Sequence, residues 1–245
     1  MSGRVAVLGF LLAVAAAVAA MLAGLGTRWG WWDFRAGFAI LRWAVYGGIG
    51  GAALSLLGLG FALRAPKRRG ALLALLGIMI GLVTVYVPWQ WRRTAERVPP
   101  IHDITTDLEN PPPFDAILPL RAEAANPAEY GGDSIAQQQR QGYPELGPLV
   151  LDAPPAEVIG LALDTAREMG WEIVDSDGDE GRIEATDTTF WFGFKDDVVI
   201  RITEPPGGGT RVDVRSVSRV GQSDVGTNAA RIREFLERLE EEARG

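Results

Sequence analysis

Residues 171–220 read WEIVDSDGDEGRIEATDTTFWFGFKDDVVIRITEPPGGGTRVDVRSVSRV, and the punctuation of this stretch decides the fold. Trp171–Asp175, Arg182–Ala185, Phe190–Phe194, Val198–Ile202 and Arg211–Val220 read as strand segments, and the last alternates between a face with Val212, Val214, Ser216 and Ser218 and a face with Arg211, Asp213, Arg215, Val217 and Arg219. The breaks at Asp177-Gly178, Lys195-Asp196-Asp197 and Pro205–Gly209 carry turn chemistry. The stretch predicts an antiparallel meander of about five strands, with Phe190–Phe194 and Val198–Ile202 as the arms of a long hairpin.

A helix is predicted on each side of the meander. After Pro154-Pro155, residues Val158, Ile159, Ala162, Leu163, Ala166 and Met169 recur at three- and four-residue spacing until Gly170. Ala229–Ala243 places Ile232, Phe235, Leu236 and Leu239 on one face among Arg and Glu. Residues 149–245 therefore predict an α+β domain, one antiparallel sheet packed by two helices. Upstream, residues 99–148 contain nine prolines, Gly131-Gly132 and the polar run Gln137–Gln141. Proline removes backbone donors and turns its predecessor away from helix, so this segment predicts an extended strap. Ile101, Ile104, Phe114, Ile117, Leu118 and Leu120 are too apolar for a pure spacer and predict a strap partly pinned to the domain.

Residues 1–98 have a different character. They carry 11 Arg and Lys against two acidic residues, whereas residues 99–245 carry 13 against 29, so a formal charge of −7 divides into +9 and −16. Apolar runs at 5–25, 43–63 and 71–87 approach or exceed the roughly 20 residues needed to cross a hydrocarbon core. The first run also fits the apolar core of a signal peptide cut near Ala19 or Ala20. Against that, apolar sequence continues to Leu25 and reaches Trp29, Trp31 and Trp32, which with Trp43, Trp89 and Trp91 form an interfacial aromatic belt. Gly47, Gly51 and Ser55, and Gly77 and Gly81, repeat at four-residue spacing and predict close helix packing. Acidic and basic residues are missing from the deep part of every run, which argues against an ion or proton path. The basic cluster Arg64, Lys67, Arg68 and Arg69, with Arg4, predicts a cytoplasmic N-terminus and a C-terminal domain outside, although Arg28, Arg35, Arg92, Arg93 and Arg97 count the other way. The expected location is thus a bacterial inner membrane, multi-pass, with a periplasmic domain.

Arg211–Ile232 reads RVDVRSVSRVGQSDVGTNAARI, and with FWFGFKDDV at 190–198 and IHDITTD at 101–107 it resembles the family of domain of unknown function 1499. The resemblance spans roughly residues 98–242. It implies an envelope or membrane setting and supplies no chemistry. More weakly, the order of helix, GWEIVD, GRIEA, GTRV and helix is similar to the helix-grip domains of a lipoprotein of the outer-membrane β-barrel assembly machinery.

The absence of cysteine excludes disulfides and thiol catalysis, and a single histidine excludes multi-histidine metal centres. The acidic soluble half argues against nucleic-acid binding, leaving membrane lipids and an envelope protein as expected partners. No cofactor or metal is expected. Asp175, Asp177 and Asp179 imitate the opening of a calcium loop, but Glu180 stands where Gly is required and Thr186 where a bidentate Glu is required, so a hairpin turn is the better reading. Asp196-Asp197 reads as a tight turn. His102, Asp103 and either Ser223 or Ser134 are the catalytic candidates of a small hydrolase, without a nucleophile-elbow motif to support them. The binding candidates are Arg215, Ser216, Ser218, Arg219, Ser223, Asp224 and Asn228. Arg215 and Arg219 stand out in an acidic domain and suit an anionic ligand, with internal ion pairs to nearby Asp or Glu as the favoured reading. Ser223, Asp224, Thr227 and Asn228 suit capping of the last helix. The expected function is a non-catalytic, membrane-anchored binding domain, with a hydrolase or an accessory subunit of a membrane complex as alternatives.

Overall fold

The computed structural model describes residues 2–64 and 70–244, which separate into two compact units. The first holds three helices, α1 (Ser2–Arg28), α2 (Phe34–Arg64) and α3 (Ala71–Ala95), each long and apolar enough to cross a membrane. Each contains one of the three apolar runs. Lys67, Arg68 and Arg69 lie outside the described residues. Asp33 starts α2, its Oδ1 accepting from the Arg35 and Ala36 backbone N–H groups at 2.7 and 3.1 Å.

Small residues set the helix spacing. A Cβ at Gly51 would stand 2.6 Å from the Ala13 nitrogen and one at Gly58 2.7 Å from the Ala6 backbone, so α1 and α2 meet backbone to backbone. On the opposite seam a Cβ at Gly81 would meet the Gly48 oxygen at 2.5 Å, and Gly77 lies against Ser55. Their large side chains, among them Leu8, Leu56, Leu57, Leu72 and Leu82, point outward and are exposed.

Residues Thr189–Gly193 belong to this unit as well. They are a turn and not the strand that their aromatic residues suggest. Aromatic residues favour strands because they pack on a pleated surface, and here they pack on helices instead.

The second unit is built on one sheet. Its strands are β1 (Asp103–Thr105), β2 (Leu149–Leu151), β3 (Glu172–Asp177), β4 (Arg182–Thr188), β5 (Lys195–Thr203) and β6 (Thr210–Ser218). The order is β1-β6-β5-β4-β3, β2 also pairs with β6, and every pairing is antiparallel. The helices α5 (Pro155–Glu168) and α6 (Thr227–Arg244) cover one face. Val158, Ala162, Ala166, Ile232, Phe235 and Leu239 meet Ile183, Val198, Ile200, Val212 and Val214 there, and Trp171 stacks on Phe235 with centroids 5.2 Å apart. The β3–β4 connection is an Asx turn, with Asp177 Oδ1 accepting from the Asp179 and Glu180 backbone N–H groups at 2.9 and 3.0 Å.

The proline-rich segment is part of this unit. It supplies β1, β2, a 3-10 turn at Leu118–Arg121 and α4 (Asp133–Gly142). Ile101 and Ile104 are buried in the main core, and Phe114 and Ile117 pack on Val199 and Val217 across the other sheet face, whereas Leu118 and Leu120 are exposed. The Gln139 amide closes the open edge of β1, accepting from the Thr105 N–H at 3.0 Å and donating to the Thr105 carbonyl at 2.6 Å.

Candidate functional site

Alternation along β4, β5 and β6 sends one set of side chains to the helices and the other to the strap. The strap side is charged. Arg182 and Glu184 come from β4, Asp197 and Arg201 from β5, and Arg211, Asp213 and Arg215 from β6, with Arg219 just past its end. A buried charge is costly unless paired and hydrogen-bonded, and the strap supplies the counter-groups.

Three ionic clusters result. Arg215 donates to both Asp103 oxygens, at 2.9 and 2.8 Å, and to the Pro112 and Ala128 carbonyls, while its guanidinium lies over the Phe114 and Tyr130 rings. Asp213 and Asp107 are bridged by Arg201 and Arg211, with Arg201 Nη2 at 2.9 Å from both carboxylates. Asp197 is fully buried and takes Arg121 at 2.5 Å, Arg219 at 2.8 Å and the Thr186 hydroxyl at 2.7 Å. Beside them Glu184 accepts from the backbone N–H groups of Asp115, Ala116 and Ile117, at 2.8, 3.3 and 2.9 Å.

A fourth cluster lies on the helix side, where β6 ends against α6. Arg231 reaches Asp187 at 2.6 Å, Asp196 at 2.7 Å and the Ser216 hydroxyl at 3.1 Å, and it also donates to Asn228 Oδ1. Ser216 donates to Asn228 Oδ1 at 2.8 Å, and Asn228 Nδ2 donates to Ser218 Oγ and to the His102 carbonyl. Burial disfavours the Arg231 charge, but Asp196 and Asp187 outweigh it and raise its pKa above the ordinary value. Asp196 and Asp197 are therefore interior residues of β5 and not a tight turn, since arginines from the strap, the end of β6 and α6 neutralise them.

Asp224 caps α6. Its two oxygens accept from the Gly226 and Asn228 backbone N–H groups at 2.8 and 2.7 Å, leaving the Asn228 side chain to the Arg231 cluster. Burial raises the Asp224 pKa above the ordinary carboxylate value, against the opposing effect of those two N–H groups. Asp107 goes the other way, because the N–H groups of Asn110 and Glu109 and the Arg201 guanidinium outweigh its burial.

The seven binding candidates fall into different places. Ser216, Ser218 and Asn228 share the Arg231 cluster. Arg215 and Arg219 are held by separate carboxylates on the opposite face. Asp224 and Ser223 form the turn before α6, where the Ser223 hydroxyl accepts from the Val225 N–H at 3.1 Å. Among the catalytic candidates, the Asp224 N–H donates to the Ile101 carbonyl at 3.2 Å and so brings the Ser223 and His102 segments together. Asp103, however, has both carboxylate oxygens on Arg215, and Ser134 lies exposed on α4. Arg121, Glu184, Asp187 and Arg231 escaped sequence reasoning because their counter-groups Asp197, the Asp115–Ile117 backbone and the Arg231–Asp187–Asp196 set lie 35 or more residues apart in the chain. The one available signal was charge recurring at alternate positions within apolar strands, as in Arg201, Arg211, Asp213 and Arg215.

A family model described as "Protein of unknown function (DUF1499)" matches residues 103–239, from the first residue of β1 into α6. No curated protein matches the chain.

Proposed function

We propose, from the premise that the chain belongs to the DUF1499 family of proteins of unknown function, that it is a membrane-anchored protein whose α+β domain is a non-catalytic binding module. Its ligand is a protein partner or an amphipathic molecule, and the module works on the outer side of a bacterial inner membrane.

The observation that carries this reading is the engagement of the candidate polar groups by partners within the domain. Arg215, Arg219 and Arg231 are occupied by carboxylates, carbonyls and hydroxyls of the same chain, and Asp224 and Ser223 by backbone N–H groups. Groups so engaged are not free to take a proton from a substrate, and their lattice holds the strap and sheet in one rigid frame. In this reading Arg215, Ser216, Ser218, Arg219, Ser223, Asp224 and Asn228 shape the module from within, and recognition falls to its surface. Three spans put the two ends of the helical region on opposite sides of the membrane, so a cytoplasmic N-terminus leaves the domain outside. Both α2 seams are filled by α1 and α3, which argues against the accessory-subunit alternative in so far as it needs a free small-residue face.

The hydrolase reading keeps one observation in its favour, the proximity of the Ile101-His102 and Ser223-Asp224 segments. The test is affinity purification of the intact protein from its native membrane after crosslinking, with lipids and proteins both identified, beside an ester-hydrolysis assay of the purified chain. A reproducible adduct and no hydrolysis are expected. Hydrolysis lost in both His102→Ala and Ser223→Ala overturns the binding reading. Reporter fusions after Gly245 are expected to be active only outside the cytoplasm, and activity on the inner side alone reverses the orientation.

A further inference from the structure

The five residues Thr189–Gly193, TFWFG, sit in a seat prepared by the three helices. Trp191 fills a slot that Gly24 leaves open, since a Cβ at Gly24 would overlap the indole. Its Nε1 donates to the Met21 carbonyl at 3.0 Å, and its ring meets Trp91 edge-on with centroids 4.9 Å apart. Phe192 is buried against Phe38, 4.9 Å between centroids, above Gly37, where a Cβ would come within 3.0 Å of the ring. Gly193 adopts φ +68°, a conformation open to glycine, and a Cβ there would crowd the Arg28 backbone at 3.1 Å. Arg28 Nη1 then donates to the Thr189 and Phe190 carbonyls at 2.8 and 3.0 Å.

Every one of these contacts fixes the backbone on either side of Phe190, and the Phe190 ring itself is turned away from the protein, 82% exposed. A large aromatic ring held outward on a rigid loop gains nothing in water. Its level along the helices identifies a better medium. The seat consists of the last two turns of α1 (Met21, Gly24, Arg28), the first turns of α2 (Gly37, Phe38) and the last turns of α3 (Trp91), which is one end of the bundle. Trp29, Trp31 and Trp89 are exposed at that same end, beside Arg28, Arg35 and Arg93. Aromatic rings mixed with arginine at the ends of apolar helices mark the layer where acyl chains meet headgroups.

We propose that Thr189–Gly193 is a second, non-spanning membrane contact, and that Phe190 inserts into the boundary between headgroups and acyl chains of a phospholipid bilayer. The proposal rests on the reading of α1, α2 and α3 as membrane spans. The loop has the form of a small interfacial anchor, with its backbone and the Arg28 guanidinium that binds it on the headgroup side and one aromatic side chain in the lipid.

The chain has no cysteine, so single labels can be placed without removing native thiols. Phe190→Cys, Leu56→Cys in the middle of α2 and Val150→Cys on β2 each receive a nitroxide. The full-length protein is then placed in vesicles of phosphatidylethanolamine and phosphatidylglycerol. Collision with oxygen, which concentrates in lipid, is compared with collision with a water-soluble nickel chelate. The expected result is lipid exposure at positions 56 and 190 and water exposure at 150. Lipid exposure at 56 with water exposure at 190 overturns the loop proposal and leaves the spans standing. Water exposure at 56 overturns the span reading and the proposal with it. A label at 190 shielded from both reagents means that protein covers it, which also overturns the proposal.

Discussion

Arg215 and Asp103 face each other through two hydrogen bonds of 2.9 and 2.8 Å, with side chains only 3% and 4% exposed, although 112 residues separate them. The pair joins the strap to β6. Removing one partner leaves an uncompensated buried charge, which costs about 3–5 kcal/mol. Arg215→Met is expected to lower the stability of the full-length protein by about that amount in urea unfolding followed in detergent. The double variant Arg215→Met with Asp103→Leu should recover much of the loss. A single variant as stable as the parent would show that the pair is not structural and would restore Arg215 as a ligand group.

Glu184 holds the strap differently, by gathering three backbone N–H groups in succession. Hydrogen bonds to a charged group contribute roughly 1.5–3 kcal/mol net. Glu184→Gln keeps the shape but loses charge and turns a donor toward those N–H groups. Trypsin is expected to cut after Arg121 faster in this variant, because Arg121 is buried while the strap is closed. An unchanged cleavage rate by mass spectrometry would show that the strap is held without Glu184.

Asp224 and Asp107 should respond to pH in opposite directions. The Asp224 pKa is raised in the folded protein by burial, so its contribution is fully present below the unfolded value, about 3.9, and declines as pH rises through the folded value. The Asp107 pKa is lowered, so its contribution is present above the unfolded value and is lost as pH falls through the folded one. Urea midpoints from pH 3 to 7 are therefore expected to show the advantage of the parent over Asp224→Asn shrinking with rising pH. The advantage over Asp107→Asn should shrink with falling pH. Parallel curves for parent and variants would contradict the assignment.

Gly51 faces the Ala13 backbone too closely to admit a side chain. Gly51→Leu must force α1 and α2 apart, and overpacking of this kind costs about 1–3 kcal/mol. A lower unfolding temperature in detergent is expected, whereas Gly50→Leu, whose Cβ would only touch Leu12 at 3.6 Å, should be nearly neutral. Equal effects at both positions would mean that the glycine seam does not set the helix spacing.

Much of this architecture was readable from residue patterns, and the failures have physical causes. The period of two in β6 placed Val212 and Val214 opposite Arg211, Asp213 and Arg215 correctly, because a strand fixes its faces locally. The buried apolar residues of the strap were legible as too apolar for a linker. β1 and β2 were not, being three residues each and defined only by the strand they join. Phe190–Phe194 carried the composition of a strand, but residues 190–193 form a turn packed on the helices of the first unit. Asp196-Asp197 looked like a turn because two adjacent carboxylates are normally solvated, and the arginines that bury them come from elsewhere in the chain. For the same reason residue patterns favoured internal ion pairs for Arg215 and Arg219 over a ligand role but could not name Asp103 and Asp197 as the partners.

The pairing of β1 with β6 bears on how the protein is made. Thr105 lies opposite Arg215, so the first strand to leave the ribosome finds its neighbour only when the last strand has been synthesised. Until then the strap has no ladder to join, and Asp103, Asp107 and Arg121 wait as solvated charges for counter-ions that do not yet exist in the chain. Closing so long a loop is slow relative to local structure. During that interval β3, β4 and β5 can pair with one another while the strap stays an open, charged chain beside them.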